Sequence, residues 1–315
     1  MTGLLEGRAA IVTGGGRGIG RAIAEALAAQ GANVIVADNG ASIAGEDGDP
    51  KVVREAAEAI GKKALAFGES VASPGVAKQL VDLAVRQFGG IDIVVNNAAI
   101  LRDAFVFRAS PGDWDAVIRT NLSAAFYLIN AASAVMRDQG KAGRGGKDGY
   151  DWGRIVNIVS SAGLYGNLGQ AAYASAKAGL FGLTRVTAMD LARAQITANA
   201  VAPFAATRVT DIIQPANEAQ KTYKERALKI GAHHVANLVM ALCSPAGRNI
   251  TGQLLGVRGR EVFLFGQPRP VATLQAGAAS DLTPADLAQD LSSKLGGQFT
   301  DLTTDLEAFN TEPLV

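Results

Sequence analysis

Three residues of this chain, Ser160, Tyr173 and Lys177, have types and a spacing suited to moving a proton. A hydroxyl, a phenol and an ammonium brought to one point can hold a substrate oxygen, exchange its proton and tune the exchanging group. A free tyrosine ionises near pH ~10 and is a poor base at neutrality. A lysine ammonium one turn away favours the phenolate, so Lys177 is expected to bring the Tyr173 pKa down. Tyr173 and Lys177 lie four apart and share a face if the segment is helical. Ser160 is expected to hydrogen-bond the substrate oxygen. Each residue type is common and Tyr-x-x-x-Lys occurs widely, so the positioning elements must carry the argument.

Arg154 to Ser160 is a short Ile- and Val-rich run between Gly-rich turns, the pattern of a buried parallel strand, with Ser160 at its C-terminal end. A loop with three glycines follows, and Ala171 to Thr187 reads as an Ala- and Leu-rich helix carrying Tyr173 and Lys177. Near the N-terminus, Arg8 to Thr13 is an apolar strand. It leads through Gly14, Gly15, Gly16, Arg17, Gly18, Ile19 and Gly20 into a helix ending near Ala29. Glycines at a first strand–helix junction let the backbone approach a diphosphate, whose charge the helix amides and dipole meet. The second strand, Asn33 to Ala37, ends at Asp38. A carboxylate there can accept both adenosine ribose hydroxyls and repel a 2′-phosphate, so NAD is expected over NADP. Arg17 argues the other way, because a loop arginine can reach a phosphate. Taken alone, Asp38 is also consistent with a turn or helix cap.

The order Ser160-x12-Tyr173-x3-Lys177 resembles the catalytic signature of the short-chain dehydrogenase/reductase family. Thr13-Gly14-x3-Gly18-x-Gly20 resembles the cofactor loop of the same family. Asn96-Asn97-Ala98-Ala99, after a strand read from Ile91 to Val95, resembles its Asn-Asn-Ala-Gly motif with Ala99 in the glycine's place. Thr120-Asn121-Leu122 matches the family's local pattern around an asparagine that keeps a water in a proton relay to the lysine. Read from its own helix, Asp113 to Ala134, Asn121 interrupts an apolar face and must either cap a distortion or hold water. The resemblance covers about Leu4 to Phe265. It implies hydride exchange between nicotinamide and a secondary alcohol or ketone, with Tyr173 exchanging the hydroxyl proton, Lys177 on the nicotinamide ribose and Ser160 polarising the carbonyl. A positive nicotinamide ring would also favour the phenolate.

The remaining cofactor contacts expected are Val71, through its backbone, after the strand Ala64 to Phe67; Asn97, Ala98 and Ala99; and Pro203 and Thr207 after the strand Asn199 to Ala202. Phe204 stands where the family pattern has glycine. Ala205, Ala206, Thr207, Arg208, Val209 and Thr210 are similar to the dehydrogenase part of peroxisomal multifunctional enzymes, as are the long loop Asn39 to Pro50 and Glu69-Ser70-Val71. A 3-hydroxyacyl thioester is therefore expected as substrate, in lipid metabolism. A hydroxysteroid or other lipophilic alcohol is the alternative. A carrier-protein-dependent ketoacyl reductase would use NADP, against Asp38, and an NAD-binding scaffold without turnover is argued against by the intact Ser160, Tyr173, Lys177 and Asn121.

Alternating strands and helices from Arg8 to Phe265 imply one doubly wound parallel sheet with helices on both faces. Helices are read at Lys51–Ile60, Pro74–Phe88 and His233–Leu242, a lid at Ile212 to Ile230 bearing Ile212, Ile213 and Tyr223, and the last strands within Gly252 to Phe265. Gly140 to Gly153 reads as a surface insertion. A dehydrogenase domain of residues 1–266 and a C-terminal extension of residues 267–315 are expected, the latter with a short amphipathic helix at Asp286 to Leu295 and packed on the domain or a neighbouring subunit. Among 315 residues, 48% are apolar and the net charge is +1, which offers no basic surface for nucleic acid. The lone Cys243 excludes an internal disulfide and suits a reducing compartment, so a cytoplasmic location is expected. His233 and His234 are the only histidines and are adjacent, so no metal site is expected. No secretory signal and no membrane span are read. The family resemblance implies a homotetramer or dimer through the helices of Asn121 and Tyr173.

Overall fold

The computed structural model describes residues 3–144, 152–211, 218–275 and 283–315. Eight strands form one sheet: β1 (Ala9–Thr13), β2 (Asn33–Ala37), β3 (Ala64–Phe67), β4 (Ile93–Asn96), β5 (Arg154–Ile158), β6 (Thr197–Phe204), β7 (Leu254–Arg258) and β8 (Glu261–Phe265). Their order across the sheet is β3-β2-β1-β4-β5-β6-β7-β8. The order reverses between β1 and β4, and that is where open α/β sheets bind ligands, beyond the carboxyl ends of the strands. Seven strands are parallel, while β8 turns back antiparallel on β7, a departure from an all-parallel sheet. The connection between them is only Gly259-Arg260, with Gly259 at φ +59°; so short a link permits a hairpin and no crossover.

The α-helices before β6 are α1 (Gly18–Ala29), α2 (Pro50–Ile60), α3 (Pro74–Phe88), α4 (Pro111–Ile118), α5 (Ala124–Lys141), the single turn α6 (Ala162–Tyr165) and α7 (Ala171–Leu191). After β6 come α8 (Arg208–Asp211), α9 (Glu218–Ala227) and α10 (His233–Cys243). Proline at the first turn and a capping Asp49, Ser73 or Ser110 start α2, α3 and α4, each cap accepting a backbone N–H. The strands are buried on both faces because helices cover both. Val12, Val36, Val95 and Val156 pack toward α1 and α10, and Ile11, Ile35, Val94 and Ile155 toward α3 and α5.

The helix read as continuous from Asp113 to Ala134 is two helices joined by a π-type turn at Arg119–Ser123, with Asn121 in its middle. The strand expected from Ile91 pairs only from Ile93: the Gln139 side chain accepts from the Ile91 N–H and donates to its carbonyl at 2.7 and 2.8 Å, and the buried Asp92 carboxylate accepts the Ala9 amide and pairs with Arg8 and Arg144. Of the expected insertion, residues 145–151 lie outside the described residues, as do Ile212 and Ile213 of the expected lid; α9 occupies most of the rest of that lid.

The chain divides into two compact units. One comprises the chain through Phe265 together with Thr304–Val315. The segment Thr304–Val315 joins the first unit through α12 (Asp305–Ala308), through Arg258, which donates to the Phe309 carbonyl at 2.8 Å, and through a parallel bridge between Gly259 and Leu314. The other unit, Gly266–Thr303, contains α11 (Pro284–Asp290), capped by Thr283, and a π-type turn at Leu291–Leu295.

Candidate active site

Two cavities open along the carboxyl ends of the strands and share Ile19, Leu101, Val159, Tyr173, Pro203 and Thr207 in their walls. The first, of about 300 Å³, runs over the glycine loop. Gly14 and Gly18 have φ of +62° and +52°, the left-handed region that favours glycine. A Cβ on Gly14 would stand 2.8 Å from the Ala98 backbone, and one on Gly20 would enter the Gly14 carbonyl. The loop is therefore closed down onto α1, with the Gly15 amide on the Ala37 carbonyl and the Gly16 amide on Asp38. Asn97 holds it there, its Nδ2 donating to the Thr13 and Gly14 carbonyls at 3.0 Å each. Thr13 Oγ1 accepts from the Asn97 and Ala98 amides at 3.0 and 3.1 Å.

Every residue expected to hold the cofactor lines this cavity: Gly14, Arg17, Gly18, Ile19 and Gly20 from the loop, then Asp38, Val71, Asn97, Ala98 and Ala99, and finally Tyr173, Lys177, Pro203 and Thr207. Asp38 sits at the end of β2, where its two carboxylate oxygens accept the Gly16 and Gly40 amides at 2.9 and 2.7 Å. Each oxygen retains a lone pair for a ribose hydroxyl. Arg208 also lines this cavity, donates to the Ala41 carbonyl at 3.0 Å and feels both Arg17 and Asp38. Arg208 belongs to the Ala205–Thr210 segment that resembles the multifunctional-enzyme dehydrogenases, and α8, following β6, carries it to this cavity. The glycine cradle, the amides above it and the carboxylate at its end fit a nicotinamide dinucleotide.

The second cavity, of about 430 Å³, begins at Ser160 and Tyr173. Ser160 Oγ accepts the Ala162 amide at 3.2 Å. Lys177, on the same face of α7 as Tyr173, is only 2% exposed, and its Nζ donates to the Ile158 carbonyl at 2.7 Å. That Nζ lies 5.7 Å from the Tyr173 ring centre.

The electrostatics differ from the expectation that Lys177 lowers the tyrosine pKa. Desolvation pushes Tyr173 up to about 12, the Ser160 hydrogen bond pulls it down, and the carboxyls of Asp305 and Asp103 push it up again. Desolvation also brings Lys177 down to about 8. On raising the pH of the cofactor-free protein, the lysine loses its charge before the phenol ionises, so its help is gone when Tyr173 titrates. Near neutrality Lys177 is still charged.

Asn121, at 2% exposure, accepts the Ile100 amide at 2.8 Å and donates to the Ile100 carbonyl at 2.9 Å. It thereby pins the loop after β4. Beside it is a third cavity of about 10 Å³, with Thr13, Asn96 and Thr120 among its walls, room for about one water. Both alternatives for this residue, helix distortion and a place for water, are accommodated. Below the site, Asn96 donates to Asn157 at 2.8 Å and Asn157 to Thr184 at 2.8 Å, tying β4 to β5 and β5 to α7.

The second cavity also contains residues that local patterns could not identify. Phe204, in the position where glycine was expected, packs at a tilt against Phe309 with ring centres 4.6 Å apart, and Phe309 also meets Tyr165, Phe263 and Phe265. Asp103, Arg226, Arg258 and Asp305 are among its polar lining, together with Tyr223 of the expected lid. Among the described residues no group of three or more metal-ligating side chains comes together, and no helix is long and apolar enough to cross a membrane.

An eight-stranded Rossmann-type sheet with a glycine cradle and a tyrosine and lysine at its mouth defines a nucleotide-linked oxidoreductase. The short chain dehydrogenase family model matches residues 8–221, and this chain belongs to that family. It is accordingly an oxidoreductase acting on CH–OH with NAD(P). Among relatives, it is 38% identical over 295 residues to the hydroxyacyl-CoA dehydrogenase ChsB1 of Mycobacterium tuberculosis, covering 93% of this chain and 90% of that one. It is 37% identical over 260 residues to the 3-oxoacyl-[acyl-carrier-protein] reductase FabG of Aquifex aeolicus, covering 81% of this chain and 97% of that one. A crystal structure of a short chain dehydrogenase from Mycobacterium avium superimposes with a TM-score of 0.77 at 37% identity, covering 93% of this chain and 96% of that one.

Proposed function

We infer that this enzyme interconverts a 3-hydroxyacyl thioester and its 3-keto partner, with NAD as the preferred cofactor and Ser160, Tyr173 and Lys177 carrying the chemistry. The observation that carries this reading is the convergence of Ser160 and Tyr173 where the cavity over the glycine cradle meets the larger cavity beyond β5. The cofactor, when bound, accepts or delivers the hydride. Tyr173 takes the carbinol proton in oxidation and returns it in reduction. Ser160 donates a hydrogen bond to the substrate oxygen and holds it against the phenol. Lys177, anchored on the Ile158 carbonyl, supplies positive charge beneath Tyr173 near neutral pH and stands within reach of the cofactor cavity. Asn121 keeps the loop at Ile100 in register with that cavity.

Asp38 supports NAD, since a 2′-phosphate would meet a carboxylate already placed against two backbone amides. Arg17 and Arg208 on the same cavity favour NADP as the second reading. The thioester assignment is supported by the likeness to both ChsB1, a hydroxyacyl-CoA dehydrogenase, and FabG, a 3-oxoacyl-[acyl-carrier-protein] reductase, since both names describe acyl groups carried as thioesters. Assembly into a homo-oligomer through α5 and α7 is supported by the exposed Phe126, Val186 and Met189 on those helices. The single cysteine leaves no internal disulfide to form, which supports a cytoplasmic setting.

Initial rates with NAD and NADP on short and long 3-hydroxyacyl thioesters, hydroxysteroids and simple secondary alcohols test this reading. Faster NAD reduction with thioesters is expected. Turnover of steroids alone refutes the substrate, and a preference for NADP refutes the cofactor.

A further inference from the structure

Asp305 lies on α12, in the segment Thr304–Val315, and lines the substrate cavity with Ser160 and Tyr173. It is 6% exposed. Its Oδ2 accepts a hydrogen bond from Ser161 Oγ at 2.7 Å, which fixes the carboxyl one residue away from Ser160. Its Oδ1 is buried and has no hydrogen-bond partner of good geometry; desolvation raises the carboxyl's pKa, against the Ser161 hydrogen bond and the nearby Leu306 and Asp305 backbone N–H groups, which lower it. A buried carboxyl oxygen without a donor is costly, and a ligand can relieve it.

Holding the segment in place does not account for this carboxyl. The segment is fastened by Phe309 among its aromatic neighbours, by Arg258 on the Phe309 carbonyl and Thr311 hydroxyl at 2.8 Å each, and by Arg226 on the Asn310 carbonyl at 2.7 Å. The Ser161 hydroxyl would be satisfied equally by an amide oxygen. What the carboxyl adds is a free acceptor and, above its own burial-raised pKa, a charge close enough to the reacting site to act on the Tyr173 phenol. The cations of the same cavity are already engaged, Arg258 with Glu261 at 2.8 Å and Arg226 with Glu312 at 3.1 Å.

We propose that Asp305 is a specificity-determining residue of the substrate cavity: its free oxygen accepts a hydrogen bond from a neutral donor on the substrate, and its carboxyl turns away substrates carrying a carboxylate near the carbinol. The inference rests on reading this cavity as the site of a 3-hydroxyacyl thioester. In a free 3-hydroxy acid the carboxylate is two carbons from the carbinol; in the thioester that charge is absent. Asp305 thus separates activated acyl groups from free acids.

The test is the kcat/KM of wild type, Asp305→Asn and Asp305→Ala on three matched alcohols: 3-hydroxybutyrate, its ethyl ester and its N-acetylcysteamine thioester. The asparagine variant keeps the Ser161 hydrogen bond, and cofactor binding reports its folding. The ratio of either neutral compound to the free acid should fall at least about tenfold in both variants, mainly through a gain on the acid, since like charges brought together in a cavity are strongly disfavoured. A second readout is the pH profile of oxidation with whichever alcohol is turned over. The ionisable groups around the phenol are Lys177, Asp103 and Asp305, with Tyr223, Arg226 and Arg258 elsewhere in the lining. Removing the Asp305 charge should move the rising limb to lower pH. An unchanged ratio, or equal losses on all three compounds with an unmoved limb, overturns the assignment to Asp305. Turnover of the ethyl ester but not the thioester, with the ratio still falling in the variants, refutes the thioester reading and leaves Asp305 standing.

Discussion

Replacing Lys177 by methionine keeps the length and apolar stem of the side chain and removes its charge. Its Nζ is 5.7 Å from the Tyr173 ring centre. At an effective dielectric constant of ~20, a unit charge at that separation stabilises a phenolate by about 3 kcal/mol, equivalent to about 2 pH units in the Tyr173 ionisation. Lys177→Met should therefore slow alcohol oxidation about a hundredfold at pH ~7, where the wild-type lysine is charged. The sign of the pH dependence follows from the lysine's own titration. Burial brings it to about 8, so the wild-type advantage is present below that pH and shrinks above it as the amine becomes neutral. The assay is kcat against pH at saturating cofactor, with cofactor KM measured separately to remove any weakening of binding. Wild-type and variant profiles should differ most at the acid end and converge toward alkaline pH. A loss of the same factor at every pH would refute the electrostatic role and leave Lys177 as a cofactor-binding residue alone.

Tyr173→Phe should lower turnover by about 10²–10⁴, the usual contribution of a positioned proton-transfer group, while leaving cofactor affinity within a few fold; isothermal titration and single-turnover rates check both. Asp38→Ala should raise the NADP-to-NAD ratio of kcat/KM, because Arg17 and Arg208 then face a 2′-phosphate without the opposing carboxylate; an unchanged ratio refutes the assignment. Cys243 is fully buried and its thiol is pushed up to about 12 by desolvation, so a thiol reagent should label it only as fast as the protein unfolds. Labelling of the native protein at the rate of a free thiol would show that α10 opens locally.

Regular patterns made much of the fold legible. The strands Asn33–Ala37 and Ala64–Phe67 and the helix Pro74–Phe88 coincide with β2, β3 and α3. Short apolar runs between glycine turns have few alternatives, and Ser73-Pro74 is a local start signal for a helix. The glycine loop was equally plain, because its backbone conformations at Gly14 and Gly18 depend on residue type. Where the reading slipped, a long-range contact decided. The π-type turn at Asn121 exists because its amide bonds the backbone of Ile100, twenty-one residues away, which no helical periodicity encodes. Ile91 is held out of β4 by the side chain of Gln139, forty-eight residues away on α5. The raised pKa of Tyr173 is not legible from its helical neighbour Lys177, because desolvation and the carboxyls of Asp103 and Asp305 come from elsewhere in the chain.

The same division runs through the whole protein. The residue types and spacings of Ser160, Tyr173, Lys177, the glycine loop and Asp38 determine by themselves the class of chemistry and the place of each group on a strand end or helix turn, since these depend on near neighbours and on backbone preference. Tertiary structure alone decided what surrounds the reacting point. Phe204 became intelligible only with Phe309 packed against it, and Asp305 became a pocket residue only when Arg226, Arg258 and the aromatic cluster fastened the C-terminal segment beside Ser161. Substrate selection is built from such distant pieces because a cavity wall is defined by which surfaces meet, and one-dimensional spacing does not contain that information.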